Sequence, residues 1–158
     1  MAKELPRVPF AQDFHTFADA GKALSALHLD YEHCTEYPLE IEFNQPGTPE
    51  PQHFRIGTRK MRFKDKAQSI LQVNEHIQIT GIPPEAHEYQ VNGRTPLGWF
   101  MDRYRIVQDK ESGIVNDPNG WFEHPEDLVT AIRRIVHVSV ETHRIVQGLP
   151  EAVEKTNA

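Results

Sequence analysis

The stretch Ser69-Ile-Leu-Gln-Val-Asn-Glu-His-Ile-Gln-Ile-Thr80, in the middle of a chain of 158 residues, predicts a β-hairpin. Its two halves alternate apolar and polar side chains, which is the pattern of strands that bury one face. Asn74-Glu75 joins the halves, and Asn suits the positive φ that a tight hairpin turn requires at its first position. We therefore expect two antiparallel strands here, with the Asn74 backbone at positive φ.

Further strands are predicted on the N-terminal side of this hairpin. Leu39-Glu-Ile-Glu-Phe43 alternates apolar and acidic residues, and the proline-rich loop 45–51 ends it. Phe54-Arg-Ile56 and Lys60-Met-Arg-Phe-Lys64 alternate in the same way, which predicts a strand pair or hairpin. Four apolar side chains would then face inward, namely Phe54, Ile56, Met61 and Phe63. Arg55, Arg62 and Lys64 would point together into solvent.

Three main helices are predicted. The first runs from about Asp13, its N-cap, to Leu27. The second has Thr95 as N-cap and Pro96 at its first position. The third and longest opens at Pro125 and closes at Gly148. We expect the connections to include a short helix near 85–88, a turn at 91–94, and a structured loop rather than a strand between 108 and 120.

The long C-terminal helix is predicted to be amphipathic. With about 100° of rotation per residue, its polar side chains Arg133, His137, Glu141 and Arg144 share one face. The opposite face carries Leu128, Val129, Ile132, Ile135, Val136, Ser139, Val140, His143 and Val146.

The length, the order of the predicted elements and the absence of repeats or long linkers predict one α+β domain over residues 1–150, with a central antiparallel or mixed sheet flanked by three main helices. Residues 5–10 would form an extended arm because of their prolines, and 151–158 a disordered tail. The single cysteine, Cys34, excludes an internal disulfide framework and a cysteine-rich zinc site. No apolar run suggests a membrane span or a secretory signal, so the expected location is cytoplasmic.

Charge is distributed unevenly along the chain. The formal net charge is −6, which argues against a protein that binds polyanions over its whole surface. Residues 55–66, however, carry six basic side chains and one acid, a local balance of +5 that leaves −11 for the rest. Residues 30–50 hold six acids and no Lys or Arg. Two interpretations stay open: solvated segments that neutralise each other, or a basic ribbon (residues 55–66) that meets phosphates.

No catalytic or metal-binding pattern is evident. The nine histidines lack the spacing of a zinc site, and 28–33 reads better as a polar loop. Neither a glycine-rich phosphate loop nor a nucleophile elbow occurs, and Asp109-Lys110-Glu111 fits exposed loop charges better than a nuclease centre. We therefore predict no catalytic residue and no metal site.

Several segments, read in order, carry a family likeness. They are Leu5-Pro-Arg-Val-Pro-Phe10 with the helix 14–29, Lys60-Met-Arg-Phe63, Gly81-Ile-Pro83, Val91-Asn-Gly-Arg94 with Trp99, Ser112-Gly-Ile-Val-Asn-Asp-Pro-Asn119, and Val138-Ser-Val-Glu-Thr142. Together they resemble the C-terminal specificity region of single-polypeptide type I (type ISP) restriction-modification enzymes, from about Leu5 to Pro150. In that family the last domain of one long polypeptide recognises the DNA target.

The resemblance implies sequence-specific recognition of double-stranded DNA that directs adenine methylation and ATP-dependent restriction by other domains. S-adenosylmethionine, ATP and magnesium would belong to those domains, and this chain would hold no cofactor. The other partners would be the methyltransferase and helicase-like domains of the parent polypeptide. The short length would fit either an excised piece or a natural short product.

The candidate DNA contacts combine this resemblance with charge and chemistry. The basic ribbon supplies the phosphate contacts, and Arg59 or Arg62 is alternatively placed to donate to guanine. Asn92, Arg94, Asn116, Asp117 and Asn119 are further candidates, with turn formation, helix capping or loop bonding as the competing roles. The full set is Arg55, Arg59, Lys60, Arg62, Lys64, Lys66, Asn92, Arg94, Asn116 and Asn119.

Two other functions are weighed against DNA recognition. One is a protein-interaction module that docks on the methyltransferase or helicase-like domains, with little DNA affinity of its own. An exposed apolar patch around Trp99 or Trp121 would favour it. The other, a free-standing nuclease, would require metal-dependent cleavage that depends on a specific carboxylate.

Overall fold

The computed structural model describes residues 14–149, which form an antiparallel sheet packed with helices. The predicted arm at 5–10, the Asp13 cap and the predicted tail at 151–158 lie outside the described residues. The helices are α1 (Phe14–Leu29), α2 (Pro96–Arg103) and α3 (Asp127–Gln147). Short 3-10 helices span Pro51–Phe54, Pro84–His87 and Pro118–Trp121. The strands are β1 (Glu40–Phe43), β2 (Arg62–Phe63), β3 (Leu71–Gln72), β4 (Ile77–Thr80), β5 (Val107–Gln108) and β6 (Val115–Asn116).

The main sheet has the strand order β1-β4-β3-β2 and is antiparallel throughout, which confirms the predicted α+β class. Its register aligns two rows of side chains that point to opposite faces. The inner row is Ile41, Ile79, Leu71 and Phe63, which joins the hydrophobic core. The outer row is Glu42, Gln78, Gln72 and Arg62. The acidic strand and the basic strand are therefore at opposite edges of the sheet.

The predicted hairpin forms, as β3 and β4, but its turn works differently from the expectation. Asn74 is not among the described residues with positive φ. Its side chain supplies the turn instead: Oδ1 accepts the backbone N–H groups of His76 at 2.7 Å and Ile77 at 2.9 Å. Nδ2 donates to the carbonyls of His53 and Arg55, each at 2.7 Å. Asn74 thus ties the hairpin to the end of the 3-10 helix at 51–54 and to Arg55, the first residue of the basic ribbon.

The predicted strand pair between Phe54 and Lys64 is wrong, although its apolar residues are placed largely as expected. Phe54, Ile56 and Met61 are buried, and Phe63 is half-buried. Phe54 ends a 3-10 helix that Pro51 opens, and only Arg62–Phe63 is a strand, paired with β3. The side-chain amides of Asn74 and Asn119 form hydrogen bonds with the backbone of Arg55 and Ile56. The backbone groups that make these bonds are therefore not paired with a neighbouring strand.

The helix α2 begins as predicted, but the connection that follows it differs from the prediction. Thr95 caps α2, since its hydroxyl accepts the backbone N–H of Gly98 at 3.0 Å. The loop predicted between 108 and 120 instead contains strand residues, because Val107–Gln108 pairs with Val115–Asn116 in a second, two-stranded sheet. The tight turn at its tip uses Gly113 with φ of +71° and a bond from its N–H to the carbonyl of Asp109.

α3 matches the predicted span, but its buried face is broader than the predicted one. Val138 and Thr142 are buried, whereas Val146 is 46% exposed. Arg133, expected on the polar face, is half-buried and donates through Nη2 to the carbonyl of Leu39 at 2.9 Å. The reason is that α1, α2 and the 3-10 helix at 84–87 all pack on α3. Within residues 14–149, no helix combines the length and the apolar character needed to cross a bilayer.

Candidate functional site

The basic ribbon leads into the edge strand β2 of the main sheet. Arg62 lies on the outer face of β2, and Lys64, two residues on, shares that face and donates to Gln78 Oε1 at 3.0 Å. The side chains of the ribbon's basic residues Arg55, Arg59, Lys60, Arg62, Lys64 and Lys66 are all exposed. The ribbon therefore presents six exposed basic residues, of which Arg62 and Lys64 share the outer face at the β2 edge.

The acidic stretch 30–50 makes no direct ion pair with the basic ribbon within residues 14–149. Glu42, on the far edge of the sheet, accepts from the Gln78 amide instead. The two-strand separation between β1 and β2 is the physical reason. No direct ion pair therefore joins the two charged segments, although the Gln78 amide links Lys64 to Glu42 across the outer face of the sheet.

Lys60 is the ribbon residue with an ion-pair partner in the described part of the chain. Its ammonium contacts Oδ1 of Asp102, near the end of α2, and Oδ2 of the same carboxylate contacts Arg94. The Arg94 guanidinium also lies over the Trp99 ring, 5.1 Å from its centroid. Trp99 is held in turn by a 2.9 Å bond from its Nε1 to the carbonyl of Val91. The fold thus brings two predicted contact regions together through one acid.

The turn at Val91–Arg94 is confirmed, and its geometry explains the residues at its centre. Asn92 has φ of +52° and Gly93 of +81°, as a tight turn of type I′ requires. Val91 and Arg94 exchange both backbone hydrogen bonds, at 2.7 and 3.2 Å. Asn92 is consequently exposed at the tip of the turn, two residues before Arg94.

A polar cavity of about 390 Å³ opens beside this cluster. Its polar lining includes Lys60, Gln68, His87, Gln90, Arg94 and Asp102. Gln and His side chains supply both hydrogen-bond donors and acceptors, whereas Lys and Arg only donate and a carboxylate only accepts. The cavity therefore offers a mixed set of hydrogen-bonding groups, unlike the all-cationic edge at β2.

The asparagines after β5 are placed differently from one another. Asn116, in β6, is exposed, and its side chain has no hydrogen bond within residues 14–149. Asn119 uses its amide on the backbone of Ile56, accepting at 2.7 Å and donating at 3.0 Å, and it also donates to Asp117. The competing role of loop bonding is thus the one that the structure shows for Asn119 and Asp117.

Asp65, the acid inside the ribbon, organises the turn between β2 and β3. Its carboxylate accepts the backbone N–H groups of Ser69 and Ile70 and the Ser69 hydroxyl. These hydrogen bonds, that from the Ser69 side chain foremost, lower the pKa of Asp65. Its charge is directed into the turn, which carries Lys66 and leaves that side chain exposed.

A larger groove of about 940 Å³ lies between the 31–33 loop, α2, α3 and the 3-10 helix at 118–121. Its aromatic lining comprises Tyr31, Trp99, Phe100, Tyr104, Trp121 and Phe122. Trp99 is 45% exposed and Trp121 48%. Arg103 lies over the Trp121 ring, 5.4 Å from its centroid. Both tryptophans are thus half-exposed, and each has an arginine over its ring.

Sequence reasoning missed Asp102 and Arg103 as members of the site. The contact of Asp102 with Lys60 spans 42 positions and depends on the tertiary fold. One signal was available: Asp102 follows Thr95 by seven residues, or about two helical turns, and so lies on the face of α2 beside the 91–94 turn. In the described residues, no group of three or more His, Cys, Asp or Glu side chains is arranged to hold a metal ion.

Comparison with protein families identifies the chain. The family model described as the Type ISP C-terminal specificity domain matches residues 1–131. The chain belongs to this family, which confirms the resemblance noted in its sequence segments. A search of curated proteins finds no match.

Solved structures give the same result. A nuclease-deletion mutant of the Type ISP restriction-modification enzyme LlaGI, in complex with a DNA substrate mimic, is 34% identical with a TM-score of 0.78, covering 94% of this chain and 12% of that one. The ATP-dependent Type ISP restriction-modification enzyme LlaBIII bound to DNA is 30% identical with a TM-score of 0.78, covering 96% and 10%. The DrdV–DNA complex is 26% identical with a TM-score of 0.75, covering 94% and 15%. The chain thus spans a small part of each of these proteins.

Proposed function

We propose that this chain recognises a specific sequence in double-stranded DNA on behalf of a longer restriction-modification polypeptide. The observation that carries the proposal is the cationic β2 edge, which the acidic stretch 30–50 leaves unpaired. Membership of the specificity-domain family supports it, as do the DNA complexes in which the similar structures were determined. Basic side chains on one edge give electrostatic affinity even when the net charge of the domain is negative.

The contacts divide into two chemical kinds. We assign Arg55, Arg59, Arg62, Lys64 and Lys66 to phosphates, with Arg59 or Arg62 alternatively reaching guanine. Asn92 and Asn116 have exposed amides that suit base edges. Asn119 is left out of the proposed contacts, because its amide is already bonded to Ile56.

Catalysis is assigned to other domains of the parent polypeptide. Adenine methylation and ATP-dependent restriction would be carried out there, with S-adenosylmethionine, ATP and magnesium bound there. The chain itself would supply recognition and no catalytic residue. Its membership of a family of specificity domains supports this division.

The aromatic groove is proposed as a surface for contact with those neighbouring domains, in addition to DNA recognition. Two half-exposed tryptophans in one groove are a larger apolar surface than isolated side chains present. Trp and Arg are also the side chains enriched at the energetic centres of protein interfaces. Docking therefore complements DNA recognition and does not replace it as the function of the chain.

The DNA-binding proposal is tested by reversing two charges in the basic ribbon. Arg59→Glu with Arg62→Glu should weaken duplex binding and make the negative slope of log affinity against log salt shallower by about two, since each lost phosphate contact removes about 0.9 from its magnitude. The matched control is Lys22→Glu with Arg105→Glu, which makes the same charge change at two exposed cations that have no ion pair within residues 14–149.

Fluorescence anisotropy with a labelled duplex across a salt series measures both quantities. The control should retain at least most of the affinity, so that the position of the charges, and not their sum, is tested. Equal losses in the two variants, or no loss in the ribbon variant, would show that the basic ribbon is not the DNA-binding surface.

A further inference from the structure

The cluster of Lys60, Arg94 and Asp102 has the wrong composition for a phosphate site. A phosphate needs donors and positive charge, and a carboxylate between two cations repels it. Base edges differ, because each pair in the major groove displays both donors and acceptors. Asp102 retains 26% exposure of its side chain, while Lys60 and Arg94 retain 44% and 53%, so all three remain accessible.

The three side chains also have unused hydrogen-bonding capacity. A carboxylate offers about four acceptor positions, and Asp102 uses two of them, one for Lys60 and one for Arg94. Arg94 contacts Asp102 through Nη1 and has five N–H donors in all. The donors and acceptors left over lie beside the polar cavity of about 390 Å³.

Contacts with the rest of the domain fix the side chains of the cluster, as base reading requires. Arg94 stacks on Trp99, whose indole N–H is bonded to Val91. Asp102 is fixed on α2, which the Thr95 cap begins. Because Arg94 is already held between the Trp99 ring and the Asp102 carboxylate, its side chain loses less conformational entropy when it binds a base.

We propose that the Lys60–Arg94–Asp102 cluster reads a G·C base pair in the major groove, with Asp102 as the residue that sets the specificity. Arg94 donates to O6 and N7 of guanine, and Asp102 accepts the N4 amino group of cytosine. Lys60 holds the carboxylate and adds a donor. The inference rests on the proposed function and extends it by separating a base-reading cluster from the phosphate-binding edge.

Selection from a randomised duplex library tests it, with the full chain and three variants. Asp102→Asn should retain or gain general duplex affinity, because an anion is removed, yet lose about tenfold in preference at one G·C position. Arg94→Lys keeps the charge but loses the planar fork, and should relax the same position. Lys66→Gln, on the β2–β3 turn, should weaken all sequences alike and change no preference.

The outcomes separate failure of the base-reading cluster from failure of DNA recognition. If the unaltered chain selects a sequence and Asp102→Asn selects the same one with equal stringency, the base-reading cluster is refuted while DNA recognition stands. If Asp102→Asn weakens binding to all duplexes by the same factor, Asp102 only supports the structure and does not read a base. Arg94→Lys should then leave the sequence preference unchanged as well. If the unaltered chain binds no duplex, the proposed function fails and this inference with it. Thermal unfolding of each variant confirms that the fold is retained.

Discussion

Replacing Asn74 with Ala should destabilise the protein more than the same substitution at Asn116 or Asn119. The side chain of Asn74 is 8% exposed and makes four hydrogen bonds of 2.7 to 2.9 Å to the backbone. At about 1 kcal/mol of net stabilisation per bond, their loss lowers the free energy of unfolding by about 4 kcal/mol. This is a large part of the 5–15 kcal/mol or so that is typical of a folded domain.

The two other asparagines make the prediction graded. Asn119 has two hydrogen bonds to Ile56, so Asn119→Ala should lower the free energy of unfolding by about 2 kcal/mol. Asn116 has no side-chain bond within the described residues, so Asn116→Ala should change it by less than about 0.5 kcal/mol. The three substitutions are chemically identical, and only the number of tertiary bonds differs.

Urea unfolding followed by far-UV circular dichroism measures the series. The urea midpoint should be highest for Asn116→Ala, lower for Asn119→Ala and lowest for Asn74→Ala. The slope m of unfolding free energy against urea concentration should be the same in all three. A midpoint for Asn74→Ala equal to that for Asn116→Ala would refute the reasoning, because it would mean that the backbone groups of 53–55 and 76–77 need no side-chain partner. A larger loss in Asn119→Ala than in Asn74→Ala would contradict it as well.

Three other predictions concern the core, the ribbon turn and α2. Ile79→Ala should lower the free energy of unfolding by about 2–5 kcal/mol, because Ile79 is 0% exposed, whereas Ile114→Ala, at a site 69% exposed, should leave the urea midpoint almost unchanged. The hydrogen bonds that depress the pKa of Asp65 stabilise the fold above its unfolded pKa, about 3.9, and this stabilisation is lost as pH falls through the folded value, so the urea midpoints of the unaltered chain and Asp65→Asn should differ at pH 7 and converge in acid. Thr95→Ala should cost about 0.5–2 kcal/mol in thermal unfolding through loss of the α2 cap, with Thr95→Ser close to the unaltered chain.

The regular elements were predictable because their signals are local. Alternation identified β1 and the β3–β4 hairpin, and capping residues placed α2 and α3 to within a few residues. The error at residues 54–64 has a tertiary cause. Alternating apolar residues were buried as predicted, but distant amides at Asn74 and Asn119 took up the backbone that a ladder would have used. Periodicity reports which side chains are buried and not what pairs with the backbone.

The candidate site was predictable in part for the same reason. The charge of the ribbon and the turn at 91–94 are visible in the sequence, so Lys60 and Arg94 were named as contacts. Their common partner Asp102 was not, because it comes from a helix that the fold brings between them. The wider α3 face was missed as well, since three separate elements pack on that helix and no single periodicity describes them.

The charges at opposite edges of the sheet, with Glu42 at one end of the outer row and Arg62 at the other, contribute an electric moment that runs across its strands. The electric field of a polyanion would therefore exert a torque on the domain. The torque turns the β2 edge towards the polyanion and the β1 edge away from it before the two molecules come into contact. The turning acts over about 10 Å at 0.1 M salt and fades as salt is added. Low ionic strength should thus favour productive collisions, and the association rate should fall as salt is added.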